Sequence, residues 1–320
     1  MPNSTPVSRR TVLGLGIAAL AGVGGLALHE GADAITLSGI NGRVNTDGVN
    51  LRSGPSTSAG VIAQLRSGTA VACSDTRGSW FKVTTSTLGG WISSSFVTLI
   101  PSVSILIVDR GPSGRARVAL TFDAGADRGN AAAILDTLKS ARVRATFGIT
   151  GRWCDANADL VRRIANEGHT LMNHTLTHRS MTGFSNPNAM LTPAERVGEL
   201  IATEKKLKAA CGKVGRPLFR PPYGDYDAGV LNDVAAAGFA YNVMWSVDSL
   251  GWRGLSPDEI VDRCLSSVGN GFIYLFHVGS QSADAEALPR LIAGFRGAAF
   301  QVTTVDRLLG LRPIARPSPK

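Results

Sequence analysis

The 320-residue sequence predicts an α/β domain preceded by a small all-β barrel, and three observations carry that prediction. Short alternating apolar runs split by Gly and Ser give way, near residue 104, to longer patterns of strand then helix. About seven strand candidates alternate with helical ones beyond that point, which makes a parallel sheet, open or closed into a barrel. Those strands run into polar, reactive residues, and parallel sheets carry their chemistry at the C-terminal ends of their strands. Composition agrees. Hydrophobic residues at 44% and charged ones at 18% permit a sizeable core and exclude wholesale disorder. The 37 Gly and 15 Pro follow no G-X-Y period, which excludes collagen, and no fixed repeat suggests a solenoid.

Residues 1–34 read as an export signal. Ser8-Arg9-Arg10 precedes a Gly-broken apolar stretch from Thr11 to Leu28, and Ala32-Asp33-Ala34 offers a small-x-small cleavage site. The arginine pair before a mild apolar region resembles a twin-arginine signal. The glycines favour cleavage over an uncleaved anchor, and no later stretch is long and apolar enough to span a bilayer. Cleavage would remove two basic and two acidic residues, leaving the net charge at +9. A basic exported chain is drawn to the polyanions of a cell envelope. Nucleic acid is not expected as a partner, since no basic run carries interleaved aromatics. Most of the arginines read as dispersed, solubilising charge.

Residues 38–100 are dense in Gly, Ser, Thr and Val. Val61–Leu65, Ala70–Cys73 and Trp80–Val83 are strand candidates, with turns at Arg66-Ser67-Gly68 and Thr76-Arg77-Gly78. Five or six such strands in about 60 residues make a small barrel. Val49-Asn50-Leu51-Arg52-Ser53-Gly54-Pro55-Ser56-Thr57 resembles the opening of a bacterial SH3-like domain, with Gly78-Ser79-Trp80-Phe81-Lys82-Val83 and Gly89-Gly90-Trp91-Ile92 as its Trp-bearing strands. The resemblance implies a wall-binding module, in which Trp80 and Trp91 are either binding aromatics or core.

In residues 104–312 the strand candidates are Val118–Phe122, Ala145–Thr150, Thr170–Asn173, Leu218–Arg220, Ala240–Trp245, Phe272–Phe276 and Phe300–Thr303. Thr192-Pro193-Ala194-Glu195 and Ser256-Pro257-Asp258-Glu259 are capping boxes with Pro at the first helical position. The first of these helices should bury Val197, Leu200 and Ile201. Of the four cysteines, Cys73 falls in the first module and Cys154, Cys211 and Cys264 in the second, so at most one disulfide is expected. Cys264 reads as core.

The chemistry gathers after the strands. Asp123-Ala124-Gly125-Ala126-Asp127 follows the first, and Asn173-His174-Thr175-Leu176-Thr177-His178 the third. Arg220-Pro221-Pro222-Tyr223-Gly224, Trp245 to Trp252 and Leu275-Phe276-His277 come next. His174 and His178, at i and i+4 on one expected helical turn, are spaced to grip one divalent ion. A carboxylate base and an imidazole acid complete a hydrolytic set. His169 reads as structural, at the turn into its strand.

In this order the motifs resemble the NodB-like polysaccharide deacetylases of carbohydrate esterase family four, over about residues 110–312. The resemblance implies a distorted β/α barrel that removes N-acetyl groups from amino-sugar polymers with a divalent metal, usually zinc. Asp123 would then be the general base that deprotonates a metal-bound water, with Arg220 orienting it. His174 and His178 would bind the metal, and the Tyr223 backbone N–H would help hold the oxyanion. His277 would be the general acid, and Tyr223 and Trp252 would offer flat surfaces for sugars.

Two positions depart from the family pattern. Ala124 stands where a second aspartate is expected as a metal ligand, and Gly251 where an aspartate partners the acid histidine. The expectations that follow are that His277 relies on Asp248, and that Asp127 is either a third ligand, directly or through water, or a helix N-cap. The reaction expected is deacetylation of a cell-wall glycan, peptidoglycan above all. Chitooligosaccharide or acetylxylan deacetylation, and a weakly active wall-binding protein, are the alternatives.

Overall fold

The computed structural model describes residues 39–311 apart from Ala126 and residues 187–189, so the expected export signal lies outside it. The first domain holds β1 (Ile40–Val44), β2 (Val49–Arg52), β3 (Val61–Leu65), β4 (Ala70–Arg77), β5 (Trp80–Thr84), β6 (Gly89–Ser93) and β7 (Val97–Ile100). Its strand order is β3-β2-β6-β5-β4-β1-β7, with antiparallel neighbours. Period-two alternation decides which side is inside: Ile40 and Val44 are buried while Asn41 and Arg43 are exposed. Leu51, Phe81 and Ile92 fill the interior. Trp91 is 8% exposed, beneath the Arg77 guanidinium, so it is core; Trp80 is half-buried.

The second domain is a curled, parallel half-barrel sheet with helices outside it. The strands are β8 (Leu106–Val108), β9 (Arg117–Ala124), β10 (Thr146–Ile149), β11 (Thr170–Asn173), β12 (Leu218–Phe219), β13 (Tyr241–Val243), β14 (Val247–Asp248), β15 (Ile273–His277) and β16 (Gln301–Thr303). Eight run in the order β14-β15-β9-β10-β11-β12-β13-β8, and β16 also pairs β9. The expected seven strands all form. Beyond them come β8, three residues long, and β14, two residues within a motif loop, both too short for a periodic signal.

The helices are α1 (Ala131–Ser140), α2 (Gly151–Ala156), α3 (Ala158–Asn166), α4 (Pro193–Cys211), α5 (Ala228–Ala236), α6 (Pro257–Leu265), α7 (Asp284–Gly297) and α8 (Val305–Leu308). Both expected capping boxes form, at the starts of α4 and α6. Central β9 buries nearly every residue, as a strand covered on both faces must. Phe122 on β9 stacks on Phe147 of β10 and Phe276 of β15, with ring centroids 5.3 and 5.4 Å apart. This aromatic row anchors the three strands that carry the site.

The two domains share one apolar cluster. Leu51, Phe81 and Leu99 of the barrel belong to it, with Val197 and Leu200 of α4 and Val230 of α5. Asn232 donates to the Leu99 carbonyl at 3.0 Å, and the Ser102 hydroxyl to the Ala235 carbonyl at 3.2 Å. All four cysteines are free thiols, three of them buried, and Cys264 is core. No helix among the described residues is long and apolar enough to cross a membrane.

Candidate active site

Asp123 lies near the C-terminal end of β9 and is 7% exposed. Its neighbour across β10 is Gly148, where a Cβ would lie 2.4 Å from Asp123 Oδ1. Glycine is therefore what leaves room for the carboxylate. Arg220, fully buried just past β12, donates from Nη1 to Asp123 Oδ1 at 3.0 Å and to Thr121 Oγ1 at 2.8 Å. Its Nε and Nη2 donate to the carbonyls of Val243 and Met244. Burial pushes Asp123 up, but Arg220, His174 and His277 outweigh it, so the carboxyl titrates below its usual range. Asp123 is thus held as an oriented anion.

His174 and His178 follow β11, but not on a helical turn. Thr175 and His178 take left-handed backbone conformations, at φ +68° and +61°, so the segment is a tight loop. The rings still meet, 4.9 Å between centroids. Glu199 of α4 shapes the loop by accepting from the N–H groups of Leu176 and Thr177 and from the Thr177 hydroxyl. Asn173 adds a bond from the Thr175 N–H, and is itself held by Glu204.

The His174 Nδ1 lies 2.9 Å from the Arg220 carbonyl, which can only accept. That bond places the ring proton on Nδ1 and leaves the Nε2 lone pair 3.7 Å from Asp123 Oδ2. Burial pushes both imidazoles down, His178 to about 3, so they stay neutral at neutral pH, as metal ligands must be. Two neutral imidazoles beside a carboxylate are a chemistry that fits a divalent ion. A third ligand is less evident: among the described residues no cluster of three His, Cys, Asp or Glu is arranged to hold one. Ala124 is fully buried in the apolar cluster of Phe122 and Ile149, so no donor stands there.

Asp127 does not cap α1, and its carboxylate is engaged with Ser280. Its carboxylate accepts from the Ser280 N–H at 3.0 Å and from the Ser280 hydroxyl, tying the loop after β9 to the loop after β15. Helix α1 begins later, with Asn130 at its N-cap. Asp248 likewise does not reach His277. It accepts from the Leu250 N–H at 3.0 Å and the Trp252 indole N–H at 3.3 Å, fixing the tryptophan.

His277 ends β15 in direct register with Asp123. Tyr223 and Trp252 stand 54% and 46% exposed. The tyrosine ring lies 4.8 Å from His178 and the tryptophan ring 6.2 Å from His277, so a flat apolar surface flanks each side of the polar centre. Away from the site, His169 accepts the Ala145 N–H at 3.1 Å and packs edge-on against Phe147, a structural role. Sequence reasoning missed Glu199, Glu204 and Asp284; for Glu199 and Glu204 the signal was a carboxylate falling among the buried positions of α4.

The polysaccharide deacetylase family model matches residues 110–242, and the bacterial SH3 domain model matches residues 47–98. A peptidoglycan-N-acetylglucosamine deacetylase of Bacillus cereus is 35% identical over 185 residues, which are 57% of this chain and 64% of that protein. A chitooligosaccharide deacetylase of a Bradyrhizobium species is 32% identical over 209 residues, 61% of this chain and 92% of that one. Among solved structures, a CE4 family pseudoenzyme from Bacillus anthracis superposes with a TM-score of 0.58 at 27% identity, covering 64% of this chain and 69% of that one.

Proposed function

The chain belongs to the polysaccharide deacetylase family, and from that premise we propose that it hydrolyses N-acetyl groups of a cell-wall amino-sugar glycan, peptidoglycan or its fragments, outside the cell. One observation carries the reading: an ionised, arginine-held carboxylate and an imidazole, Asp123 and His277, end neighbouring parallel strands in direct register.

Asp123 takes a proton from the attacking water, whose oxygen bonds to the acetyl carbon. Arg220 keeps the carboxylate aimed and charged until that moment. The Tyr223 N–H, in a turn where Tyr223 has φ +61°, is the proposed donor to the oxyanion. As the carbon–nitrogen bond breaks, His277 gives a proton to the departing amine, and acetate and a free amino sugar result. His174 and His178 would hold a divalent ion, zinc being suited to imidazole, which supplies electrophilic polarisation and lowers the pKa of bound water. Tyr223 and Trp252 stack on sugar faces. The barrel domain adds wall affinity through its exposed surface, Trp80 included.

A second reading, a weakly active wall-binding protein, is favoured by Ala124, where the family pattern has an aspartate, and by the likeness to a pseudoenzyme. Acetate release from peptidoglycan, chitooligosaccharide and acetylxylan, each with and without a chelator, tests both. Chelator-sensitive release from an N-acetylated glycan supports the hydrolase. Glycan binding with no release above a His277→Ala control supports the second reading.

A further inference from the structure

We propose that Asp284, the first residue of α7, is the positioning carboxylate of His277, standing in the space that a side chain at Gly251 would fill. The inference rests on the reading of His277 as the acid. Asp284 is fully buried, and its Oδ2 accepts the His277 backbone N–H at 2.8 Å, locking the end of β15 to the start of α7. Two further buried atoms of this pair of residues, His277 Nδ1 and Asp284 Oδ1, have no hydrogen-bond partner among the described residues. Buried polar atoms without a partner are rare in folded chains, so each of these two calls for a reason.

Gly251 supplies the independent observation. A Cβ there would lie 2.5 Å from Asp284 Oδ1 and 2.6 Å from Ser282 Oγ. Asp284 and any side chain at position 251 therefore exclude one another. Other charged or titratable groups around His277 are already engaged. Asp123 on β9 is held by Arg220, His174 is bound to the Arg220 carbonyl, and Asp248 is taken by Leu250 and Trp252. His178 packs between His174 and Tyr223, and Asp127 bonds Ser280. Asp284 is the buried carboxylate whose one bond to His277 is to its backbone N–H, leaving Oδ1 unpartnered. Burial holds its carboxyl above the usual carboxylate range, and the His277 N–H and the charge of the His277 ring oppose that rise. A proton on His277 and a charge on Asp284 stabilise each other.

The test is the ring titration of His277, followed by NMR in the full chain. Asp284→Asn keeps an oxygen to accept the backbone N–H and removes only the charge. Its His277 midpoint should fall by about one pH unit, a tenfold loss of proton affinity, and the alkaline limb of the acetate-release profile should move down with it. The double variant Gly251→Asp with Asp284→Ser restores a carboxylate from the other side and should return the midpoint toward that of the parent. An unchanged midpoint in folded Asp284→Asn overturns the proposal. If that variant does not fold, the double variant decides: a midpoint that stays low overturns it. The ring titration needs no turnover, so loss of the deacetylase reading would show separately, as absent acetate release.

Discussion

Arg220 and Asp123 form a buried ion pair at 3.0 Å, in which the guanidinium also satisfies one hydroxyl and two carbonyls. Such a pair orients the base more than it stabilises the fold, but removing one partner strands the other. Arg220→Met should destabilise the chain by about 3–5 kcal/mol, read from urea unfolding. A loss under about 1 kcal/mol would mean that Asp123 does not depend on this arginine.

Metal affinity should follow the loop after β11. Zinc titration of His174→Ala or His178→Ala should show binding weakened at least tenfold. Asp127→Ala should leave affinity unchanged, because that carboxylate is committed to Ser280. Weakened metal binding in Asp127→Ala would restore it as a ligand.

His169 gives the fold an acid sensitivity. Burial, followed by the Arg144 charge and partly offset by Glu167, pushes its imidazole from 6.5 down to about 4. As pH falls from about 6.5 to about 4, the unfolded chain binds a proton that the native state refuses. Stability should therefore decline across that window, at up to about 1.4 kcal/mol per pH unit from this residue, and level off below it. His169→Gln should flatten the decline in denaturant midpoints; an unaltered slope would place the sensitivity elsewhere.

The barrel domain should not be separable at no cost to stability. Removing residues 39–100 uncovers Val197, Leu200 and Val230, members of an apolar cluster that both domains build. The shortened chain should unfold at lower temperature and bind an apolar dye that the full chain does not. Equal melting temperatures would show the shared cluster to be energetically idle. Trp80→Ala in the full chain is the cleaner test of wall binding, since Trp80 is only half-buried whereas Trp91 is core.

Much of this was legible in the sequence because its signals are local. Capping boxes at Thr192 and Ser256 and the apolar runs of β9 and β15 are fixed by neighbouring residues, and they formed as read. His174 and His178 were legible as a pair, but not as a loop, since the left-handed turns at Thr175 and His178 depend on Glu199, contributed by another element. The hydrogen-bond partners of Asp127 and Asp248 were not legible for the same reason. The family pattern, with its gaps at Ala124 and Gly251, pointed both aspartates at the histidines, while Ser280 and Trp252 were the partners in space. Asp284 carried no local signal, because its meaning depends on the empty volume at Gly251.

The most direct test of the account is the release of acetate and free amine from an N-acetylglucosamine oligomer by the purified chain, beside Asp123→Asn and His277→Ala. The parent should liberate the two products in equal amounts. Each variant, still folded by circular dichroism, should be slower by about 10²–10⁴-fold, as the loss of a positioned base or acid entails. Equal rates in all three proteins, or no acetate from any of them on any N-acetylated glycan, would contradict it.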